Sequence, residues 1–199
     1  MPVSATTAAT PAPGAAGGTV RLFFALLPDS AARAILAVRA QDVARETGGR
    51  ATGAGNLHVT LAFLGNVAQS RIAQVEAVGA RAAAIGEPFA LRLERFGWFR
   101  NAGAAWIGPA TVAPALQQIV DALCIALREA GFASEERAFH PHLTLARRCV
   151  RGPAAAAATV GWRADAMALM ASDTLPGGVV YRVLASWPLG VRAGTLPSR

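Results

Sequence analysis

The chain has 199 residues and a formal net charge of +7, from 19 basic and 12 acidic residues. All 19 basic residues are arginines, which excludes chemistry that needs lysine: a Schiff base, a P-loop, or a ligase that carries a nucleotide on lysine. The two cysteines exclude a disulfide framework and a zinc site of the C-x-x-C kind. The positive charge favours anionic ligands such as phosphates or RNA, although a preference for Arg and Ala codons explains it equally well.

No targeting or membrane segment is indicated by the composition. The first residues lack the basic start and apolar block of a signal peptide, and glycines and prolines interrupt the uncharged run at 101–120. We therefore expect a cytoplasmic monomer that does not bind membranes. Residues 1–18 offer nothing to bury and are expected to form a disordered leader, residues 19–190 a single domain, and residues 191–199 a loose tail.

Strand and helix patterns alternate along the first half of the chain. β-Branched and aromatic residues predict buried strands, and a capping residue before an apolar stripe predicts a helix. The predicted elements are a strand at Thr19–Leu26, a helix from Asp29 or Ser30 with Ile35, Val38 and Val43 among its apolar positions, a strand at Leu57–Leu64 closed by Gly65-Asn66, and a helix at Ser70–Ile85.

The second half continues in the same way. Its clearest helix has five aliphatic residues on one stripe and a glycine, Gly131, at the position of a left-handed cap. The predicted elements are strands at Phe89–Phe99 and Ala104–Ile107 joined by a turn at 100–103, a helix at Pro114–Ala130, a strand at His142–Ala146, an alanine-rich loop at Gly152–Thr159, and a hairpin of Ala166–Thr174 and Val179–Trp187 across Pro176-Gly177-Gly178.

One pattern occurs twice: a strand, a proline, a helix, a glycine loop, and a strand that begins with histidine. The first copy runs from RLFFALLP to NLHVTLAFLG, and the second from AAWIGP to HPHLTLAR. Two such units predict a duplicated, pseudo-two-fold α+β architecture with mostly antiparallel sheets.

Two of the three histidines open nearly identical words, His58-Val-Thr60-Leu and His142-Leu-Thr144-Leu. Side chains alternate along a strand, so each histidine shares a face with its threonine. If the two repeats face each other, two imidazoles and two hydroxyls meet. One neutral and one protonated imidazole can catalyse phosphodiester cleavage as base and acid, while the threonines donate to the phosphate oxygens. The third histidine, His140, is expected to mark the start of its strand.

The words HVTLAFLG and HPHLTLAR resemble the paired H-x-T/S motifs of the 2H phosphoesterases, in particular the LigT-like RNA 2′,3′-cyclic phosphodiesterase (2′-5′ RNA ligase) family. The resemblance extends from about Val20 to Leu189 and includes RLFFAL, GGRATGAGNLHVTLAFLG and YRVLASWPL. It implies a bilobal fold with helices outside and a central groove, and hydrolysis of RNA or nucleoside 2′,3′-cyclic phosphates to 2′-phosphates without metal or cofactor. The reverse reaction is 2′-5′ RNA ligation.

By this resemblance, His58 is the general acid that protonates the departing O3′, and His142 is the base that activates water. Thr60 and Thr144 bind the phosphate, and Arg147 matches an arginine near it. Alternation from His142 places Arg147 on the opposite face, so contact with the phosphate requires the strand to bend or end there.

Three aromatic residues are candidates for stacking on a base at the floor of the groove: Phe23, Phe24 and Phe63. Alternation along the first histidine strand places Phe63 with Val59, on the face opposite His58. All three side chains have core packing as their alternative role.

Other functions remain open at this point. The same phosphate chemistry would act on a cyclic phosphate of ADP-ribose or on a 2′,5′-linked oligonucleotide. A non-catalytic RNA-binding module would have no need for both histidines and both threonines. A zinc hydrolase is disfavoured, because no carboxylate accompanies either motif.

Overall fold

The computed structural model describes residues 18–133, 138–154, 158–175 and 178–191. Most of the leader and tail predicted from the sequence, namely residues 1–17 and 192–199, lies outside the described residues. The same holds for residues 155–157 of the predicted alanine-rich loop and for Pro176 and Gly177 of the predicted hairpin turn. None of the helices in the described ranges has both the length and the apolar character needed to span a bilayer.

The described part of the chain contains ten strands and three α-helices. The strands are β1 (Thr19–Leu26), β2 (Arg50–Ala51), β3 (Val59–Ala68), β4 (Phe89–Leu93), β5 (Arg95–Phe99), β6 (Ala104–Gly108), β7 (Leu143–Arg147), β8 (Val160–Ala164), β9 (Ala166–Leu175) and β10 (Gly178–Pro188). The helices are α1 (Ser30–Thr47), α2 (Ile72–Ile85) and α3 (Pro114–Glu129). These elements confirm the predicted α+β class.

Among the described residues, eight strands form one antiparallel sheet in the order β10-β9-β1-β3-β7-β6-β5, with β2 also paired to β7. Strands β4 and β8 form a separate two-stranded antiparallel sheet. The large sheet is joined at its centre by the pairing of Val59 in β3 with Leu143 in β7. This pair divides the sheet into two halves, each of which carries one of the two histidine motifs.

The two halves repeat the same unit, as the sequence predicted. In the first unit β1 leads to α1 and then to β3, its antiparallel neighbour; in the second, β6 leads to α3 and then to β7, its antiparallel neighbour. The helices cross between the halves: α1 packs against β7, and α3 packs against β3. The apolar backs of both motif strands are therefore covered by helices, and their other faces are left for the site.

Helix α1 starts where predicted but buries a different face. The Asp29 carboxylate accepts a hydrogen bond from Ala32 N–H (2.8 Å) as the N-cap. The buried face consists of small and aliphatic residues that include Leu36 and Val43, whereas Ile35 and Val38 are 51% and 64% exposed. Two of the three apolar positions named from the sequence therefore lie outside the core, because the buried stripe is rich in alanine and carries little hydrophobic signal.

Helix α3 matches its prediction closely. Its five predicted stripe residues are all buried, and Gly131 adopts φ +71° beyond the helix end. Each of the five is aliphatic, so the stripe is visible in the sequence: Leu116, Ile119, Val120, Leu123 and Leu127.

Several strand boundaries differ from prediction. The single strand expected at Phe89–Phe99 is broken at Glu94, where the chain leaves the small sheet and enters the large one. Strand β8, which pairs with β4, was not predicted. Strand β3 continues through Gly65-Asn66 to Ala68 because β1 is long enough to pair with it there. The second helix begins at Ile72 after a short 3₁₀ turn at Gln69–Arg71, rather than at Ser70.

Candidate active site

The two histidine motifs meet at the junction of the two halves. Val59 pairs with Leu143, so in this antiparallel register the residue before each lies opposite the residue after the other. His58 is thus placed across from Thr144, and Thr60 across from His142. All four side chains line one small cavity of about 200 Å³. The two imidazoles and two hydroxyls therefore face a single space.

A bulge in each motif strand changes the side-chain alternation at the same place. The β1–β3 register moves from Phe24–Ala62 to Ala25–Thr60 and skips Leu61. The β6–β7 register moves from Ala105–Ala146 to Trp106–Thr144 and skips Leu145. Each bulge inserts one extra residue after the threonine, so the side chains beyond it point to the face opposite to the one that simple alternation predicts.

The bulges turn Phe63 and Arg147 toward the histidines, and both side chains line the cavity with them. The prediction that Phe63 lies on the face opposite His58 is wrong for this reason. The bend that Arg147 needed is supplied by the bulge at Leu145. The two halves thus place an aromatic ring and a guanidinium at equivalent positions.

His58 is held by contacts on several sides. Its Nδ1 lies 2.7 Å from the carbonyl oxygen of Asn56, so Nδ1 carries a proton and donates it. Its Nε2 lies 3.1 Å from the Thr60 hydroxyl. The rings of Phe23 and Tyr181 pack against the imidazole, with centroids 4.9 and 5.0 Å away. These contacts fix the ring plane and leave proton exchange with a substrate to Nε2.

His142 has the same backbone contact and different aromatic neighbours. Its Nδ1 lies 2.8 Å from the carbonyl oxygen of His140, again two residues earlier in the chain. The Phe99 ring lies edge-on to the imidazole at 4.9 Å, and the Trp106 ring lies at 6.1 Å. The His140 ring packs against the same two aromatic side chains. With Nδ1 engaged by this carbonyl, Nε2 is the nitrogen of His142 that can exchange a proton with a ligand.

Burial lowers the pKa of His58 below its ordinary value of 6.5. The carbonyl of Asn56 raises the pKa, and the positive charge of Arg147 lowers it further, as does His142 when it is protonated. His58 is therefore mainly neutral at pH 7 in the ligand-free protein. An anionic phosphate in the cavity would offset the positive neighbours and favour the protonated form.

Three further residues line the cavity that holds both histidines and were not identified from the sequence: Arg21, Ser172 and Tyr181. They form a row across strands β1, β9 and β10, because Arg21 pairs with Ser172 and Ser172 with Tyr181. The Arg21 guanidinium lies 4.7 Å from the centroid of the Phe63 ring. Arg21 lies two residues before Phe23 in β1, so both side chains point to the same face, and this alternation could have identified the arginine from the sequence. Ser172 and Tyr181 could be identified only once the order of the strands was known.

The three aromatic candidates occupy different positions. Phe63 is 37% exposed at the cavity wall and can receive a base. Phe23 is nearly buried beneath His58 and Tyr181, so its ring supports the imidazole. Phe24 has no exposed surface and packs against Trp187 on the core side of the sheet. The prediction that Phe24 stacks on a base is therefore wrong, since adjacent strand residues point to opposite faces.

A larger cavity of about 840 Å³ adjoins the catalytic one and shares Thr60, Phe63 and His142 with it. Its other lining residues include three aromatic side chains, Trp98, Phe99 and Phe139. In the described ranges, no group of three or more His, Cys, Asp or Glu side chains is arranged to hold a metal ion.

Comparisons with known proteins give consistent matches. Residues 27–174 match the family model of the 2′-5′ RNA ligase superfamily. The RNA 2′,3′-cyclic phosphodiesterase of Thermus thermophilus is 32% identical over 182 residues, which cover 85% of this chain and 90% of that protein. The Escherichia coli protein of the same name is 32% identical over 173 residues, covering 85% and 96%. The crystal structure of E. coli LigT complexed with 3′-AMP superposes with a TM-score of 0.77 at 28% identity, covering 86% of this chain and 98% of that chain.

Proposed function

This chain belongs to the 2′-5′ RNA ligase superfamily, and from that premise we propose that it hydrolyses RNA 2′,3′-cyclic phosphate ends to 2′-phosphates, with His58 and His142 as paired acid and base. The class of enzyme, a hydrolase of the RNA 2′,3′-cyclic phosphodiesterase type, rests on relatives that are about a third identical over most of both chains. The residue roles rest on the site.

The proposed reaction is a displacement at phosphorus between the two imidazoles. Neutral His142 takes a proton from water through Nε2, and the water oxygen forms a bond to phosphorus. The bond from phosphorus to O3′ breaks, and His58 donates a proton to O3′. The products are a 2′-phosphate and a free 3′-hydroxyl, and the two histidines exchange protonation states, which solvent restores.

The assignment of His58 as the acid requires a change on substrate binding. Its pKa is lowered in the ligand-free protein, mainly by burial. The negative charge of a bound cyclic phosphate lies next to the imidazole and raises that pKa, since an opposite charge favours the protonated form. Substrate thus supplies the condition under which His58 can act as an acid.

The remaining polar side chains are proposed to bind the phosphate. Thr60 and Thr144 lie on opposite strands of the same cavity, so their hydroxyls reach the non-bridging oxygens from two sides. The Arg147 guanidinium faces the same cavity and neutralises charge that accumulates as the water attacks. Phe63, shared by both cavities, is proposed to stack on the base of the terminal nucleotide.

The observation that carries this proposal is the antiparallel pairing of Val59 with Leu143, which brings two His-x-Thr motifs to one cavity. Product analysis with a 2′,3′-cyclic mononucleotide tests it. We expect the 2′-monophosphate alone, at a rate unchanged by chelator. Formation of the 3′-phosphate, or no turnover of cyclic mononucleotides and cyclic-ended RNA, would contradict the proposal. Including 2′,5′-linked oligomers and a cyclic phosphate of ADP-ribose in the panel separates the alternative substrates.

A further inference from the structure

The side chain of Asn56 joins the segment before β3 to the distant strand β10. Its Nδ2 donates a hydrogen bond to the carbonyl oxygen of Val179 (2.7 Å), and its Oδ1 accepts one from the N–H of Tyr181 (3.2 Å). Among the described strands, β10 is the last of the large sheet, so none of them pairs with its outer side. The amide of Asn56 therefore pairs with the β10 backbone at the positions that a further strand would use.

The same residue also contacts the catalytic histidine. The main-chain carbonyl of Asn56 accepts the hydrogen bond from Nδ1 of His58 at 2.7 Å. Tyr181, whose N–H the Asn56 side chain binds, places its ring edge-on to His58, with the ring planes 88° apart. Tyr181 also packs against Phe23, which contacts the imidazole as well, so the three rings form one mutually packed cluster. Asn56 therefore contacts His58 through its carbonyl and holds, through its side chain, the strand that carries one of the packed rings.

We infer that Asn56 is a positioning residue for His58: its side-chain amide anchors β10 so that Tyr181 stays against the imidazole, while its carbonyl orients Nδ1. Loss of the amide leaves the backbone bond to Nδ1 in place but releases the strand that carries Tyr181. The His58 ring can then rotate more freely, and water reaches the side that Tyr181 covered. Misplacement of a catalytic group by about 1 Å is enough to lower a rate on the order of 100-fold.

Within the described residues, the side-chain link between Asn56 and β10 has no counterpart at the equivalent position, His140, in the second half of the molecule. His140 occupies the position equivalent to Asn56, and its carbonyl holds Nδ1 of His142 in the same way. The His140 side chain is an imidazole that packs against Phe99 and Trp106, which also contact each other. The carbonyl contact thus belongs to the repeated unit, whereas the amide bridge to an edge strand belongs to His58 alone.

The kinetic test of this inference rests on the proposed function, whereas an NMR titration of His58 does not depend on it. Asn56→Ala removes the amide, and Asn66→Ala is the matched control, since Asn66 is exposed on β3 and lines neither cavity. The first measurement is the His58 pKa by NMR titration of the imidazole. The second is kcat and KM on a 2′,3′-cyclic mononucleotide.

We expect Asn56→Ala to raise the His58 pKa toward 6.5, because water reaches the ring and burial is the main cause of its lowered value. We expect kcat to fall about 10- to 100-fold while KM changes less than about threefold, since the phosphate-binding side chains are untouched. Tyr181→Leu keeps the backbone bonds to Asn56 and removes the ring. It is expected to shift the pKa in the same direction, and it serves as the test if Asn56→Ala does not fold.

A folded Asn56→Ala or Tyr181→Leu protein whose His58 pKa matches that of Asn66→Ala would overturn the inference. A kcat within about twofold of the control would also overturn it. If wild-type protein does not turn over the cyclic nucleotide, the proposed function fails, while the NMR titration still decides the role of Asn56.

Discussion

His58 and His142 share a backbone contact and differ in what surrounds them. Each donates Nδ1–H to a carbonyl two residues earlier. His58 packs against both Phe23 and Tyr181, which also contact each other, and burial lowers the pKa of His58. A duplicated motif thus yields two imidazoles in different environments, which acid–base catalysis with two distinct roles requires.

The lowered pKa of His58 has a consequence for stability. The unfolded chain binds a proton at this site more readily than the folded protein does, so protonation favours unfolding. Stability from this site is complete above pH 6.5 and is lost as the pH falls through the folded pKa. We predict that, as the pH is lowered below 6.5, the free energy of unfolding of the wild-type protein decreases more steeply than that of His58→Gln. Chemical denaturation at several pH values measures both. Parallel curves for the two proteins would contradict this.

Arg147 influences His58 and is proposed to bind the phosphate. Its charge lowers the pKa of His58, and its side chain lines the catalytic cavity. We predict that Arg147→Gln raises the His58 pKa in an NMR titration and lowers kcat/KM about 10- to 100-fold, as for loss of a group that stabilises transition-state charge. Arg148→Gln removes the same charge from a neighbour outside the cavity and is the control. Equal effects of the two substitutions would indicate general electrostatics instead of a specific contact.

At the level of the strands, the sequence predicted which side chains share a face at the start of each motif. It did not predict where the alternation of faces changes. Period-two alternation explains His58 with Thr60 and His142 with Thr144. It fails beyond Leu61 and Leu145, because each bulge depends on the register with a neighbouring strand. For the same reason Phe63 was assigned to the wrong face, and the position of Arg147 was left conditional on a bend.

Helix α2 approaches the sheet closely, and Gly79 makes this possible. A Cβ at Gly79 would lie 2.6 Å from the Trp187 ring of β10 and 2.9 Å from the Phe24 ring of β1. Because the Cβ would lie so close to an aromatic ring, we expect overpacking in Gly79→Ala to cost about 2–3 kcal/mol. Alanine gains roughly 1 kcal/mol within a helix, so the predicted net destabilisation is about 1–2 kcal/mol.

Chemical denaturation measures the change in unfolding free energy at Gly79. Gly53→Ala is the matched control, because a Cβ there meets no atom within 4 Å and the backbone is extended. A Gly79→Ala protein as stable as the control would show that α2 can move away from the sheet without loss.

For the whole molecule, the repeat in the sequence was the most informative feature. It predicted the duplicated α+β architecture and the meeting of the two motifs, since two similar units pack most simply about a local two-fold axis. It did not reveal β8 or the edge position of β10, because those depend on contacts between segments far apart in the chain. Asn56 and Tyr181 were missed for this reason: their hydrogen bond joins residues 125 positions apart.

The central claim is that His58 and His142 act together on one phosphate. The most direct measurement is kcat on a 2′,3′-cyclic nucleotide for His58→Ala, His142→Ala and the double variant, each checked for folding. We predict that each single substitution lowers kcat on the order of 100-fold or more. The double variant should lose little beyond the worse single one, because the two groups act as a unit. Wild-type kcat in either folded single variant would contradict the claim.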